Sequence, residues 1–291
     1  MLVPSLAGLF VVSVYPTLFL LRSCFYQMDL TGLEGSFVGL DHFRRIASDA
    51  LLWKALANTA VITAIAVSLE LVLGLGAALA VHGSTGSPRA SLGKTMFRNI
   101  LIMPMVLPPI AVAIVWRLMY DTNYGVINGF LSYFGLGPVP WLSDPALAVV
   151  SLILTDAWQW TPFMFLVLLA GLTALPEEPY EAAMIDGASA WQQFRDLTLP
   201  LLRPVILVAV LIRMMDCLRL FDTVYVLTRG GPGNATETIS YFIYRTAYEN
   251  FDLGYAAAVS FLTLFLTLFL SKLFLMILGI KERREPEDVR P

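Results

Sequence analysis

Residues 181–200 read EAAMIDGASAWQQFRDLTLP and lie between two long apolar runs, 147–170 and 204–228. The stretch carries Glu181, Asp186, Arg195 and Asp196, with Gly187 near its middle and Pro200 at its end. Upstream, Pro176 and Pro179 precede Tyr180, and Glu177, Glu178 and Glu181 crowd one place. Acids at a helix start complement the macrodipole, so this predicts a helix N-terminus. Gly187 then allows a turn, and Ser189 followed by Gln192 has the spacing of a capping box that opens a second helix. Pro200 and Pro204 are expected to bound that second helix before the next apolar run. Residues 174–203 thus read as a polar helix–turn–helix inserted in an apolar chain; a solvated interfacial loop fits the periodicity equally well.

The rest of the chain is indeed apolar. Of 291 residues 57% are hydrophobic and 14% charged, with a mean hydropathy of +0.72, far from the composition of a soluble domain. Six runs are long enough to cross a hydrocarbon core of roughly 30 Å, at about 2–22, 56–81, 99–119, 147–170, 204–228 and 254–280. The first lacks a basic leader and a small-residue cleavage site, so it reads as a retained span. The runs are continuous rather than alternating, which excludes a β-barrel. The expected fold is an all-α integral membrane protein of six transmembrane helices in a single domain, 1–291.

Basic residues set the orientation. Segment 82–98 holds Arg89, Lys94 and Arg98 without an acid, the tail holds Lys281, Arg283, Arg284 and Arg290, and 120–146 has no Lys or Arg. Arg44, Arg45 and Lys54 run against the trend, but both termini and the 174–203 loop are expected on the cytoplasmic side of the membrane. Two cysteines, Cys24 and Cys217, make neither a disulfide framework nor a metal site, and no nucleotide-binding GxxxxGK[ST] loop occurs. No catalytic constellation, metal, cofactor or nucleic-acid partner is expected.

Ionisable residues at membrane depth are costly, about 2.5–3.5 kcal/mol each on insertion scales, and mark pathways or internal pairs. Glu70 falls in the second run and Asp156 in the fourth, while Arg213, Asp216, Arg219 and Asp222 recur every third residue in the fifth. That spacing permits an intrahelical charge ladder. Each three-residue step rotates by about 60°, however, so the row cannot stay on one face. Glu70 reads as a polar contact between helices, Gly74 and Gly76 as a close helix contact. Pro104, Pro108 and Pro109 are expected to break the third run, with Met105 and Pro109 as pore-lining candidates.

The pattern Glu181-Ala182-Ala183, then Gly187, then Leu197-x-Leu199-Pro200 resembles the cytoplasmic loop of permease subunits of binding-protein-dependent ABC importers, with Leu197 where that family usually has Ile. Phe221-Asp222, Thr228-x-Gly230-Gly231-Pro232, Tyr241 to Tyr244, Gly254-Tyr255-Ala256-Ala257-Ala258, FVGLDHF at 37–43 and ALANT at 55–59 are similar to the maltose-type sugar branch. The resemblance implies a bacterial or archaeal inner membrane and the type I importer permease fold, with 174–203 as coupling helices gripped by an ATPase through Glu181, Ala182, Ala183, Asp186, Gly187, Leu199 and Pro200. It implies that the chain forms half of the translocation pathway, beside a second homologous permease, two ATP-binding subunits and a periplasmic or lipid-anchored sugar-binding protein, and is not itself an enzyme. It places sugar contacts at Asp156, Trp160, Arg213, Asp216, Cys217 and Leu220; charges here, where the branch has amides and hydroxyls, argue against maltose itself. The alternative is an ion-coupled secondary transporter using the same Asp and Arg residues.

Overall fold

The computed structural model describes residues 8, 10–29, 32–82 and 88–277. The start of the expected first span, Ser87 in the 82–98 segment and the basic tail Lys281, Arg283, Arg284 and Arg290 lie outside them. Four described helices are long and apolar enough to cross a membrane: α3 (Ala50–His82), α7 (Pro145–Thr173), α9 (Ala190–Cys217) and α12 (Leu253–Phe274 of a helix that runs to Ile277). A bent pair, Thr95–Val106 of α4 (Pro88–Val106) and α5 (Pro109–Met119), is long and apolar enough to cross only if the two are taken together as one broken span, and α1 (Phe10–Ser23) is a shorter apolar helix.

Short elements join these spans. A hairpin of β1 (Tyr26–Asp29) and β2 (Gly32–Phe37) and the helix α2 (Asp41–Ser48) follow α1. The hairpin sits in a polar connection, so it does not disturb the all-helical reading of the spans. Further on come α6 (Val126–Ser132), α8 (Glu178–Ile185), α10 (Asp222–Leu227) and α11 (Ile239–Tyr244). Carboxylates start the two longest helices. Asp144 accepts from the N–H groups of Ala146 and Leu147 at the head of α7, and Asp49 accepts from those of Leu51 and Leu52 at the head of α3.

Helices α3, α7 and α9 form the centre of the bundle around Val67, Met164, Phe165, Leu168 and Ala209. The approach of α3 to α7 is so close that a Cβ at Gly74 would lie 2.6 Å from Met164 Cβ. Small residues bring helices together in this way where no hydrophobic effect drives them. Gly76, expected in the same contact, faces open space.

The third span breaks at 98°, between Val106 and Pro109 rather than at Pro104, which stays inside α4. Breaking a helix strands carbonyls, and in hydrocarbon each must find a donor. Gln159 of α7, buried, supplies one to the Leu107 carbonyl at 3.1 Å.

Two expectations about the fifth span are corrected. Pro200 and Pro204 do not end the helix begun at Ala190; it runs unbroken into the span. A widened π turn over Phe194–Thr198, in which the Leu199 N–H reaches back to the Phe194 carbonyl, shifts the register just ahead of the prolines. At its other end the helix stops at Cys217 instead of running to 228, with tight turns from Leu218 to Leu220 before α10. The charge row therefore never sits on one helix.

Candidate functional site

Glu70 on α3, Asp156 on α7 and Arg213 on α9 meet at the bundle centre. Arg213 donates through Nε to Glu70 Oε2 at 2.7 Å and through Nη2 to Glu70 Oε1 at 2.8 Å, a bidentate fork, and through Nη2 to Asp156 Oδ2 at 2.9 Å. The three side chains are 0%, 2% and 1% exposed. The sulfur of Cys217 lies 3.4 Å from Arg213 Nη2 and 3.7 Å from Asp156 Oδ2. The Arg213 guanidinium also rests on the Trp160 ring, 4.8 Å from its centroid. A guanidinium suits this place because its planar fork satisfies two carboxylates at once.

The triad replaces the ladder as the account of how the fifth span carries charge. Arg213 is neutralised across helices, and its contact with Asp216 on its own helix is the long one, 3.6 Å. Asp216 is 50% exposed. Among the described residues Arg219 and Asp222 make no ion pair.

Asp156 and Arg213 of the triad form the floor of an open cleft of about 210 Å³, with Glu70 beneath them. All six residues that the resemblance nominates, Asp156, Trp160, Arg213, Asp216, Cys217 and Leu220, line it, together with Pro109 from the bend and Phe221. Met105 is not in its lining. Within the cleft the roles divide by burial. Asp156, Arg213 and Cys217 spend their polar atoms on one another and on Glu70, whereas Asp216 offers a carboxylate to incoming donors and Trp160 and Leu220 offer apolar surface. Glu70 is the polar contact between helices that its place in an apolar run suggests; what the linear sequence hides is its partner, Arg213, 143 positions away.

The second constellation lies at the other end of the bundle. Gly187 takes the left-handed φ of +75°, which ends α8 in a tight turn, and Ser189 and Gln192 form the expected capping box. Tyr180 Oη donates to Thr198 Oγ1 at 3.0 Å, fastening α8 to the head of α9. Glu181, Ala182, Asp186 and Gly187 are exposed on this segment, Ala183 is half-buried, and Leu199 and Pro200 lie exposed where it enters the span. Met184, Ile185 and Trp191 also project outward, Ile185 to 87%. This is an uncovered apolar surface carried on a rigid turn.

The sequence profile of the binding-protein-dependent transport system inner membrane components matches residues 70–284. The chain belongs to that family. A trehalose/maltose transport system permease of Thermococcus litoralis is 42% identical over 244 residues, 84% of this permease and 80% of the relative. A sulfoquinovosyl glycerol transport permease of Agrobacterium fabrum is 33% identical over 97% and 90% of the two chains. A trehalose transport permease of Mycobacterium tuberculosis is 34% identical over 96% and 88%. Among solved structures, a bacterial alginate ABC transporter in complex with its alginate-pentasaccharide-bound periplasmic protein superposes with a TM-score of 0.83 at 22% identity, covering 95% and 92%. The fold of this permease is thus the ABC importer permease fold.

Proposed function

We propose that the chain is one of two permease subunits of an ATP-driven importer of neutral sugars. It forms half of the pathway, beside a homologous permease, two ATP-binding subunits that carry out hydrolysis, and an external sugar-binding protein. Both termini and the α8–α9 turn face the cytoplasm in this reading, so the exposed Met184, Ile185 and Trp191 meet the ATPase there, and the 120–144 connection faces outward. Closure of the ATPase on that turn moves α9, and with it the floor of the cleft, because the helix is continuous from Ala190 to Cys217.

The observation that carries the reading is the cleft itself. Asp216 offers acceptors for sugar hydroxyls above a fixed floor, and Trp160 and Leu220 offer apolar surface to a pyranose. Four carboxylates, Glu70, Asp156, Asp216 and Asp222, stand against two guanidiniums, Arg213 and Arg219, in and just beneath the cleft. That balance favours neutral sugars over anionic ones such as alginate. The test is reconstitution of the four-component complex in liposomes, with trehalose and an anionic oligosaccharide as alternative cargo. ATP-dependent uptake of trehalose alone is expected. Preference for the anionic sugar, or uptake by this chain alone driven by an ion gradient, would overturn the proposal.

A further inference from the structure

Phe221 belongs to two structures at once. It lines the cleft, and it opens a group of stacked rings that leads away from it. Its ring centroid lies 5.5 Å from Tyr225, nearly parallel at 25°, and 5.0 Å from Tyr244; Tyr225 and Tyr244 are 5.4 Å apart and edge-on. Tyr241, buried, backs the group, so the rings cannot sink into the core. Phe221, Tyr225 and Tyr244 are left half-buried. The hydroxyls of Tyr225 and Tyr244 interact, which holds the Tyr244 phenol above its ordinary ionisation range.

Beside the rings stands Arg229, exposed, with its guanidinium 5.9 Å from the Tyr225 centroid. Its φ of +49° is one that residues other than glycine seldom take. The loop that follows is cross-linked: Lys54 Nζ donates to the Gly233 carbonyl at 2.8 Å, Asn58 Nδ2 to those of Asn234 at 2.9 Å and Glu237 at 3.1 Å, and Arg245 pairs with Glu237 at 2.7 Å. Backbone strain maintained by surrounding bonds, beneath an exposed cation, is a mark of functional surface. Tyrosines that anchor a chain at the membrane interface present amphipathic rings to headgroups. These instead stack on one another and adjoin the Asp216 cleft.

We propose that Phe221, Tyr225 and Tyr244 form a second sugar subsite, a stacking platform next to the Asp216 cleft, with Arg229 at its rim donating to sugar oxygens. Apolar faces of pyranose rings suit aromatic surfaces, and hydroxyls at their edges suit a guanidinium and phenols. The platform rests on the sugar-importer reading and adds to it a length requirement: a trisaccharide occupies cleft and platform together, a disaccharide only one of them at a time.

The experiment uses the reconstituted complex with its binding protein, radiolabelled trehalose and the neutral trisaccharide glucosyl trehalose, and the variants Tyr225→Ala, Tyr244→Ala, Tyr225→Phe and Tyr244→Phe. Each Ala variant is expected to slow trisaccharide uptake about three- to tenfold, the worth of one stacking contact, and trehalose uptake less. The Phe variants, which keep the ring, should restore uptake, and the melting temperature of the complex should not move. Unchanged uptake of both sugars in the Ala variants overturns the platform alone, as does an equal fall for both sugars that tracks a lowered melting temperature, the signature of mere packing. A wild-type complex that imports neither sugar overturns the importer reading and the platform with it.

Discussion

Removing Glu70 should unfasten the centre of the molecule. In Glu70→Ala, Arg213 loses two of its three short carboxylate contacts, those at 2.7 and 2.8 Å, and retains Asp156 at 2.9 Å and the half-exposed Asp216 at 3.6 Å. Deleting one partner of a buried ion pair costs about 3–5 kcal/mol, because the other charge is left without compensation. Since Asp156 stays, the lower end applies, about 3 kcal/mol, or roughly a hundredfold in the folded fraction. The assay is membrane abundance together with the melting temperature of the detergent-extracted complex, followed by size-exclusion chromatography after heating. A melting temperature several degrees below wild type is expected. The triple replacement Glu70→Met, Asp156→Leu, Arg213→Met leaves no buried charge and should recover much of that loss while uptake stays absent, because ion networks exchanged for apolar packing are often neutral or stabilising. If Glu70→Ala melts with wild type, the triad does not hold the three helices together and the argument fails.

Asp216→Ala should behave in the opposite way. Arg213 keeps Glu70 and Asp156, so abundance and basal ATP hydrolysis persist, while loss of one charge-assisted contact worth about 1.5–3 kcal/mol lowers uptake of a limiting sugar by roughly ten- to a hundredfold. Asp156→Ala should lower abundance and uptake together, and an immunoblot beside the uptake assay separates the two. Gly187→Pro demands a φ near −65° where the chain takes +75°, and Glu181→Lys puts a cation at a helix start; both should leave helices inserted and ATP hydrolysis intact while uptake falls, as measured in liposomes. A cysteine at Ser143 should react with a membrane-impermeant maleimide from outside. One at Ile185 should react only in inverted vesicles and become protected when the ATPase is present.

Local chemistry is the legible part of the chain. The turn at Gly187 and the cap at Ser189 depend on residues within a few positions of one another, so the linear sequence suffices to place both. The break before Pro109 is legible for the same reason. Pairing between helices is not: an i, i+3 row suggests that Arg213, Asp216, Arg219 and Asp222 neutralise one another, yet the helix ends at Cys217 and the partners of Arg213 come from two other spans. Sequence spacing fixes which residues can be neighbours on one helix and is silent on which helix faces them. Pro200 and Pro204 mislead because a π turn upstream absorbs the register change, and nothing in FRDLT announces it. The gathering of six nominated residues into one cleft is legible through family resemblance, not through periodicity.

The bend between α4 and α5 also constrains the order in which the chain can enter a bilayer. At the break, the Leu107 carbonyl takes its donor from Gln159, 52 positions downstream. A nascent chain released into lipid after Met119 would expose that carbonyl to hydrocarbon, at a cost of several kcal/mol. Glu70 faces the same situation for longer, since Arg213 is synthesised 143 residues after it. Its own helix contains an 18-residue stretch of mean hydropathy 2.2, apolar enough to partition with one acid unaccompanied, but the broken span has no such reserve of regular hydrogen bonding at its corner. On this reasoning the third span would enter the membrane together with the fourth, as a hairpin joined through Gln159.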